Sequence, residues 1–240
     1  MTRRNLRERC RSDRDLLLDA LVRRFGPVSQ GPLFPAEVID DVLTEVMGYE
    51  LVDEELPKGQ LAVCDFERRR VTVTTRLADN VHPKTDLVAL ANSTKAHELG
   101  HIRLHTEEIL HTDRATPDLF GEAPVRVLVT YRDELRKARL SAAERRRERE
   151  ADLYASIFLV PDRLLEEQPA MLRLRKAVAR QEDLSSRYLW RLTYDLARAF
   201  RVSGTLMKNR LVDLEVLVYL DKERELRVSR QSMLFDLEGP

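Results

Sequence analysis

The chain has 240 residues, enough for one or two domains with a real buried core. Its 41 basic and 41 acidic residues cancel, so bulk charge gives no argument for nucleic acid or acidic partners. Two cysteines, Cys10 and Cys64, speak against a disulfide framework and fit a cytoplasmic protein.

Residues 1–26 read as an amphipathic helix with Leu17, Leu18, Leu21, Val22 and Phe25 on its apolar side, ended by Gly26-Pro27. Charges interrupt this basic segment, which makes it a poor signal peptide, and the longest apolar run, 153–161, is too short to span a bilayer. A second helix is predicted from Pro35 to just before Gly48, with Val38, Ile39, Val42, Leu43 and Val46 as its stripe. The period changes over residues 49–75. Leu61 and Val63, then Val71 and Val73, alternate with other residues around a polar stretch, 65–70, which predicts a small antiparallel sheet with a hairpin.

Pro83 precedes a long helical pattern in which Leu87, Leu90, Thr94, His97 and His101 recur by threes and fours on one face. Residues 112–130 read as irregular because of Pro117, Gly121 and Pro124. A further long helix is predicted over about 133–160, ended by Pro161. The remainder reads as a helical region that closes with a hairpin over 216–228. The expected fold is α+β and mostly helical. Its parts are an N-terminal helix at 1–30, a core at 31–165 with an insertion at 110–140, and a C-terminal region at 166–240.

The chemistry concentrates in His97-Glu98-Leu99-Gly100-His101. Two histidines four apart on a helix point the same way, so one tetrahedral zinc can take both imidazoles. Glu98 sits beside such a metal rather than on it, placed to accept a proton from a water that the metal acidifies. Gly100 lets another backbone or a substrate approach closely. A third ligand is needed. Glu150 is the first choice, since it shares a helical face with Leu153, Tyr154 and Ile157, and a buried carboxylate needs a partner. Glu148 is its rival, on a face with Ala151, Ala155 and Leu159. His105 continues the series by four but is rotated about 80° from His97, which suits packing or support better than ligation. His111 reads as a surface residue.

Ala96-His97-Glu98-Leu99-Gly100-His101, then Leu104-His105, and later Glu148-Arg149-Glu150-Ala151-Asp152-Leu153-Tyr154-Ala155 with Leu159-Val160-Pro161, resemble the ImmA/IrrE family of metallopeptidases. Members show HELGH followed by a stretch like ExEAxxFAxxLLxP. Here Tyr154 stands where Phe is usual, and Phe158-Leu159-Val160 replaces the Leu-rich end. The resemblance covers roughly residues 30–165 and extends weakly to Leu196-Ala197-Arg198-Ala199-Phe200-Arg201-Val202-Ser203. Glu150 follows His101 by 49 residues, longer than the family pattern suggests, which is why 110–140 reads as an insertion.

The resemblance implies a minimal zincin that cuts a protein, often a helix-turn-helix repressor, to relieve repression. It implies zinc at His97, His101 and Glu150, with manganese as a substitute, and Glu98 as base. Two other readings stand beside it. Residues 196–214 resemble a helix-turn-helix in which Ser203 could cap the second helix and the final hairpin could serve as a wing, so a DNA-binding regulator is the runner-up. Against it, Arg201 stands where a turn glycine is common. The third reading is an inactive zincin that only binds. The run Arg145-Arg146-Arg147-Glu148-Arg149 reads as a solvated helix face because glutamates interleave it.

Overall fold

Thr2 begins the first helix by accepting the Asn5 N–H at its hydroxyl, and Gly26 ends it with φ +79°, its N–H bonded to the Val22 carbonyl. Between them lies α1, Arg3–Phe25. The computed structural model describes residues 2–26, 34–75, 86–111, 127–131, 140–220 and 225–229. The buried side of α1 is Leu6, Cys10, Leu17 and Leu21, while Val22 and Phe25 of the expected stripe are exposed. The second helical segment opens with a 3-10 turn at Pro35–Glu37, continues as α2, Ile39–Asp41, and widens to a π turn at Val42–Val46. Val38, Ile39, Val42 and Leu43 are buried there as the spacing predicts.

Three strands follow: β1, Glu50–Glu54; β2, Gln60–Asp65; and β3, Arg70–Thr74. β2 and β3 form the expected antiparallel hairpin around 65–70, with Cys64 opposite Val71. β1 pairs parallel to β3, so this sheet is mixed rather than purely antiparallel. A fourth strand, β4, Val127–Tyr131, pairs antiparallel to β2 and completes the order β1-β3-β2-β4. It lies in the stretch expected to be irregular. Val127-Leu128-Val129-Thr130-Tyr131 is a run of strand formers, and the upstream Pro and Gly residues masked that signal.

The motif helix is α3, Leu87–His111, as predicted; the expected start at Pro83 and the His111 side chain lie outside the described residues. α4, Ala142–Leu159, is shorter than the expected 133–160. A reciprocal capping box between Ser141 and Glu144 fixes its start, and residues 133–139 lie outside the described residues. α3 and α4 run antiparallel, since His97 meets Asp152 while Glu108 meets Arg146. Of the expected insertion at 110–140, residues 112–126 and 132–139 also lie outside the described residues.

The C-terminal region is α5, Asp162–Glu166; α6, Pro169–Ala179; α7, Ser186–Ala199; α8, Gly204–Asp213; and the predicted hairpin of β5, Leu217–Leu220, with β6, Glu225–Val228. Ser203 caps α8 by accepting the Leu206 N–H. Arg201 occupies the turn before it with φ +52°, a left-handed conformation that costs an arginine more than a glycine. That turn sits on the motif helix: Asn92 donates to the Arg201 carbonyl at 3.1 Å, and the Ser203 N–H donates to Ser93 Oγ at 2.9 Å. Fully buried Arg210 pairs with Asp162 and Asp213, and Asp213 also accepts from Arg3 and Arg7 of α1 at 2.7 and 2.6 Å. One apolar cluster runs from Leu6 through Leu43, Val73, Leu99, Phe158 and Phe200 to Leu226.

Candidate metal centre

The site forms where α3 and α4 come closest. Gly100 makes that approach possible. A Cβ there would meet the Ala151 carbonyl oxygen at 2.9 Å, Ala151 Cα at 3.0 Å and Tyr154 Cβ at 3.1 Å. The backbone that Gly100 admits is therefore that of α4. With Gly100 against Ala151 in an antiparallel pair, Glu148, one turn before Ala151, and Asp152, the residue after it, flank the histidines.

His97 and His101 turn their Nε2 atoms toward each other at 3.0 Å. Glu148 places Oε1 at 3.2 Å from His101 Nε2 and Oε2 at 3.4 Å from His97 Nε2. Ligand atoms of these three residues lie within 4.8 Å of one another. A tetrahedral centre with bonds of about 2.0–2.1 Å has ligand–ligand edges of about 3.3–3.4 Å. The three separations fall at or slightly inside that length, and two imidazoles with one carboxylate are a donor set that zinc and similar divalent ions accept.

Glu150, the first choice from the sequence, is not in this cluster. Its Oε2 lies 3.0 Å from His105 Nε2, one turn further along α3. The spacing argument failed because both candidate faces of α4 are covered. The Glu148 face, with Ala151 and Ala155, meets α3. The Tyr154 face reaches α1, where the Tyr154 hydroxyl donates to Asp13 at 2.5 Å. Burial alone could not separate them. The small pair Gly100 and Ala151 in an antiparallel register was the signal that could have done so. His105 is a buried neighbour of His101, with Nδ1 to Nδ1 at 3.1 Å, as the sequence suggested for a supporting residue.

Two supporting contacts escaped sequence reasoning. Asp152 Oδ1 lies 2.8 Å from His97 Nδ1 and so holds the ring with Nε2 facing the cluster. Thr130 of β4 donates its hydroxyl to Glu98 Oε1 at 2.6 Å. Glu98 is 0 % exposed, and its other oxygen, Oε2, is buried with no hydrogen-bond partner among the described residues. An unpartnered buried carboxylate oxygen costs several kcal/mol in an apolar setting unless a donor or cation comes to it.

The electrostatics follow from burial and the carboxylates. Burial pushes the Glu98 carboxyl up to about 7, against the pull of His97 and the Thr130 hydroxyl. Burial disfavours charge on His97, but Asp152 and Glu148 outweigh it and leave the imidazole more basic than usual. His101 is lowered to about 4, by burial first, and its hydrogen bond to Glu148 does not make up the difference. Glu148 is held well below the usual carboxylate range; burial opposes this, and the hydrogen bonds to His101 and His97 prevail. His97 Nε2 and His101 Nε2 thus face each other, with Glu148 beside both, across the position where a cation would bind them.

No protein-family model matches the chain, and no curated protein matches it. No described helix is long and apolar enough to cross a membrane.

Proposed function

We propose that this chain is a zinc-dependent endopeptidase that cuts a specific protein, in the manner of the ImmA/IrrE metallopeptidases that its motifs resemble. The observation that carries the reading is the pairing of a three-ligand cluster, His97, His101 and Glu148, with the unpartnered buried oxygen of Glu98. A divalent ion of the zinc type, when bound, would supply Lewis acidity that polarises a carbonyl and makes water a better nucleophile.

The chain's own groups supply the rest. Thr130 holds Glu98 Oε1, which leaves Oε2 as the proton-accepting atom. With its acidity moved close to neutral, Glu98 can take a proton from the attacking water and return it to the leaving amine. Asp152 keeps His97 in the ligating orientation. Among the described residues β4 is the end strand of the four-stranded sheet, and it carries Thr130, so an extended peptide could pair along its outer edge next to Glu98. A substrate bound in this way would be a protein segment that can open to a strand.

A transcriptional repressor is the proposed substrate, on the family resemblance. The DNA-binding alternative draws support from the helix order α7–α8 and the hairpin after it. It is weakened because the α7–α8 turn is spent on the motif helix, through Asn92 and Ser93. Against an inactive zincin stands the buried, unpartnered Oε2 of Glu98 beside the cluster, an atom suited to accept a proton.

The test is incubation of zinc-loaded protein with casein and, separately, with helix-turn-helix regulators encoded beside its gene. One clean cut in a regulator, lost in Glu98→Gln, is the expected result. Rapid, indiscriminate casein digestion would refute the specificity. Zinc-loaded protein that cuts neither would refute the peptidase reading.

A further inference from the structure

Arg210 is fully buried, and nothing in the proposed chemistry uses it. Its guanidinium bonds through Nη2 to Asp162 at the start of α5, and through Nη1 to Asp213 at the end of α8 at 3.2 Å. Three more guanidiniums reach the same two carboxylates from one face of α1, where Arg3, Arg7 and Arg11 recur by fours. Arg3 and Arg7 meet Asp213 Oδ1 at 2.7 and 2.6 Å, and Arg11 meets Asp162 Oδ2 at 2.9 Å.

Four guanidiniums thus share two carboxylates, which leaves a surplus of two positive charges around a buried cation. Arginine does not relieve such a surplus by giving up its proton. Burial lowers the basicity of Arg210, and Arg11 and Arg7 push the same way, against Asp162 and Asp213. Two donors are also idle. The Nε atoms of Arg11 and Arg210 are buried with no hydrogen-bond acceptor among the described residues. A buried donor on a cation costs stability until an acceptor reaches it. The cluster is open on one side: the side chains of Arg3, Arg11 and Asp162 are 70, 38 and 36 % exposed, while Arg210 forms the floor.

We propose that this cluster is an anion site that takes a doubly charged oxyanion of the phosphate type, held by Arg11 and Arg210 beside Asp162. A dianion matches the surplus of two charges. Its tetrahedral oxygens offer several acceptors at once, the arrangement that guanidinium forks pair with most readily. Arg11 and Asp162 stand at the rim, where rotation of a side chain admits the ligand to the buried donors. Bound there, the anion ties together α1, α5 and α8, elements from both ends of the chain. The site shares no residue with the metal cluster and does not depend on its reading. The phosphoryl group can arrive as free phosphate or on a nucleotide, and the chemistry of recognition is the same for both.

The experiment titrates the full-length protein with inorganic phosphate, with adenosine monophosphate and with adenosine, each at ionic strength held constant with chloride. Calorimetry reads affinity and stoichiometry, and thermal melts read stabilisation by a ligand that binds only the folded state. One phosphate per chain is expected, with a saturable rise in melting temperature that chloride does not give. Arg11→Gln, at the exposed rim, is expected to weaken phosphate binding by about tenfold or more. Asp162→Asn removes the competing carboxylate. It is expected to melt earlier without phosphate, to bind phosphate about threefold more tightly or better, and to regain most of the lost melting temperature when phosphate is added.

The nucleotide arm identifies the source. Tighter binding of the monophosphate than of phosphate, with none of adenosine, assigns a nucleotide; equal binding assigns free phosphate. A structural clasp alone gives a different pattern, in which both substitutions lower the melting temperature and phosphate rescues neither. That result overturns the proposal. So does phosphate binding that Arg11→Gln and Asp162→Asn leave unchanged, which would mean an adventitious ion only.

Discussion

Glu98→Gln is expected to reverse the pH dependence that a buried carboxylate imposes on the metal-free protein. The Glu98 carboxyl moves from 4.5 to about 7 on folding. Its folded-state value is raised, so the native state binds the extra proton between those two values. The group is close to neutral in its effect below about pH 4.5, costs stability progressively as pH rises, and exerts its full cost above about 7. Between pH 5 and pH 8.5 the change amounts to roughly 2–3 kcal/mol at 1.36 kcal/mol per unit. Glutamine keeps an oxygen for the Thr130 hydroxyl and cannot ionise. Any fixed cost of burying its amide is the same at every pH and drops out of the comparison. The assay is urea unfolding of chelator-treated wild type and Glu98→Gln at pH 5 and 8.5. The variant should gain roughly 2–3 kcal/mol relative to the wild type on going to the higher pH. A difference that does not change with pH would show that Glu98 is not a desolvated carboxylate with a free oxygen, and the proposed proton acceptor would lose its physical basis.

Loaded with zinc, Glu98→Gln should keep the metal and lose at least about 100-fold in proteolysis, the usual worth of a positioned base; retention of full activity would remove Glu98 from the role. Gly100→Ala should destabilise the fold by about 1–3 kcal/mol because its Cβ would meet Ala151 backbone at 2.9 and 3.0 Å. The gain in helix propensity offsets up to about 1 kcal/mol, and a more stable variant in urea unfolding would contradict the close approach of α3 and α4. Zinc binding at pH 7 should release about one proton, since His97 is more basic than usual and must deprotonate to ligate. Calorimetry in buffers of different ionisation enthalpy reads that number, and binding with no proton release would refute it. Tyr154→Phe should cost about 1–2 kcal/mol in the same unfolding assay, because the hydroxyl is buried and bonded to Asp13, which also pairs with Arg103.

The motif helix and its two histidines were legible because a 3.6-residue period places His97, His101 and the apolar residues on one face. Gly100 was legible as a close-approach position. The hairpins at 60–74 and 217–228 were legible from alternation and turn residues. What escaped was tertiary register. Glu148 and Glu150 are both covered residues on one helix, and only the packing of Gly100 on Ala151 tells which faces the histidines. β4 escaped because proline and glycine upstream suggested a loop, and Thr130 escaped with it. The parallel pairing of β1 with β3 escaped because nothing local in Glu50–Glu54 encodes the direction of a partner strand.

The central claim is that His97, His101 and Glu148 bind one divalent ion. Metal analysis of protein purified without added metal, beside His97→Ala, Glu148→Ala and Glu150→Ala prepared identically, tests it most directly. The account predicts about one zinc per wild-type chain, nearly none in His97→Ala and Glu148→Ala, and weakened but measurable zinc in Glu150→Ala. Zinc retained in full by Glu148→Ala and lost by Glu150→Ala would contradict it.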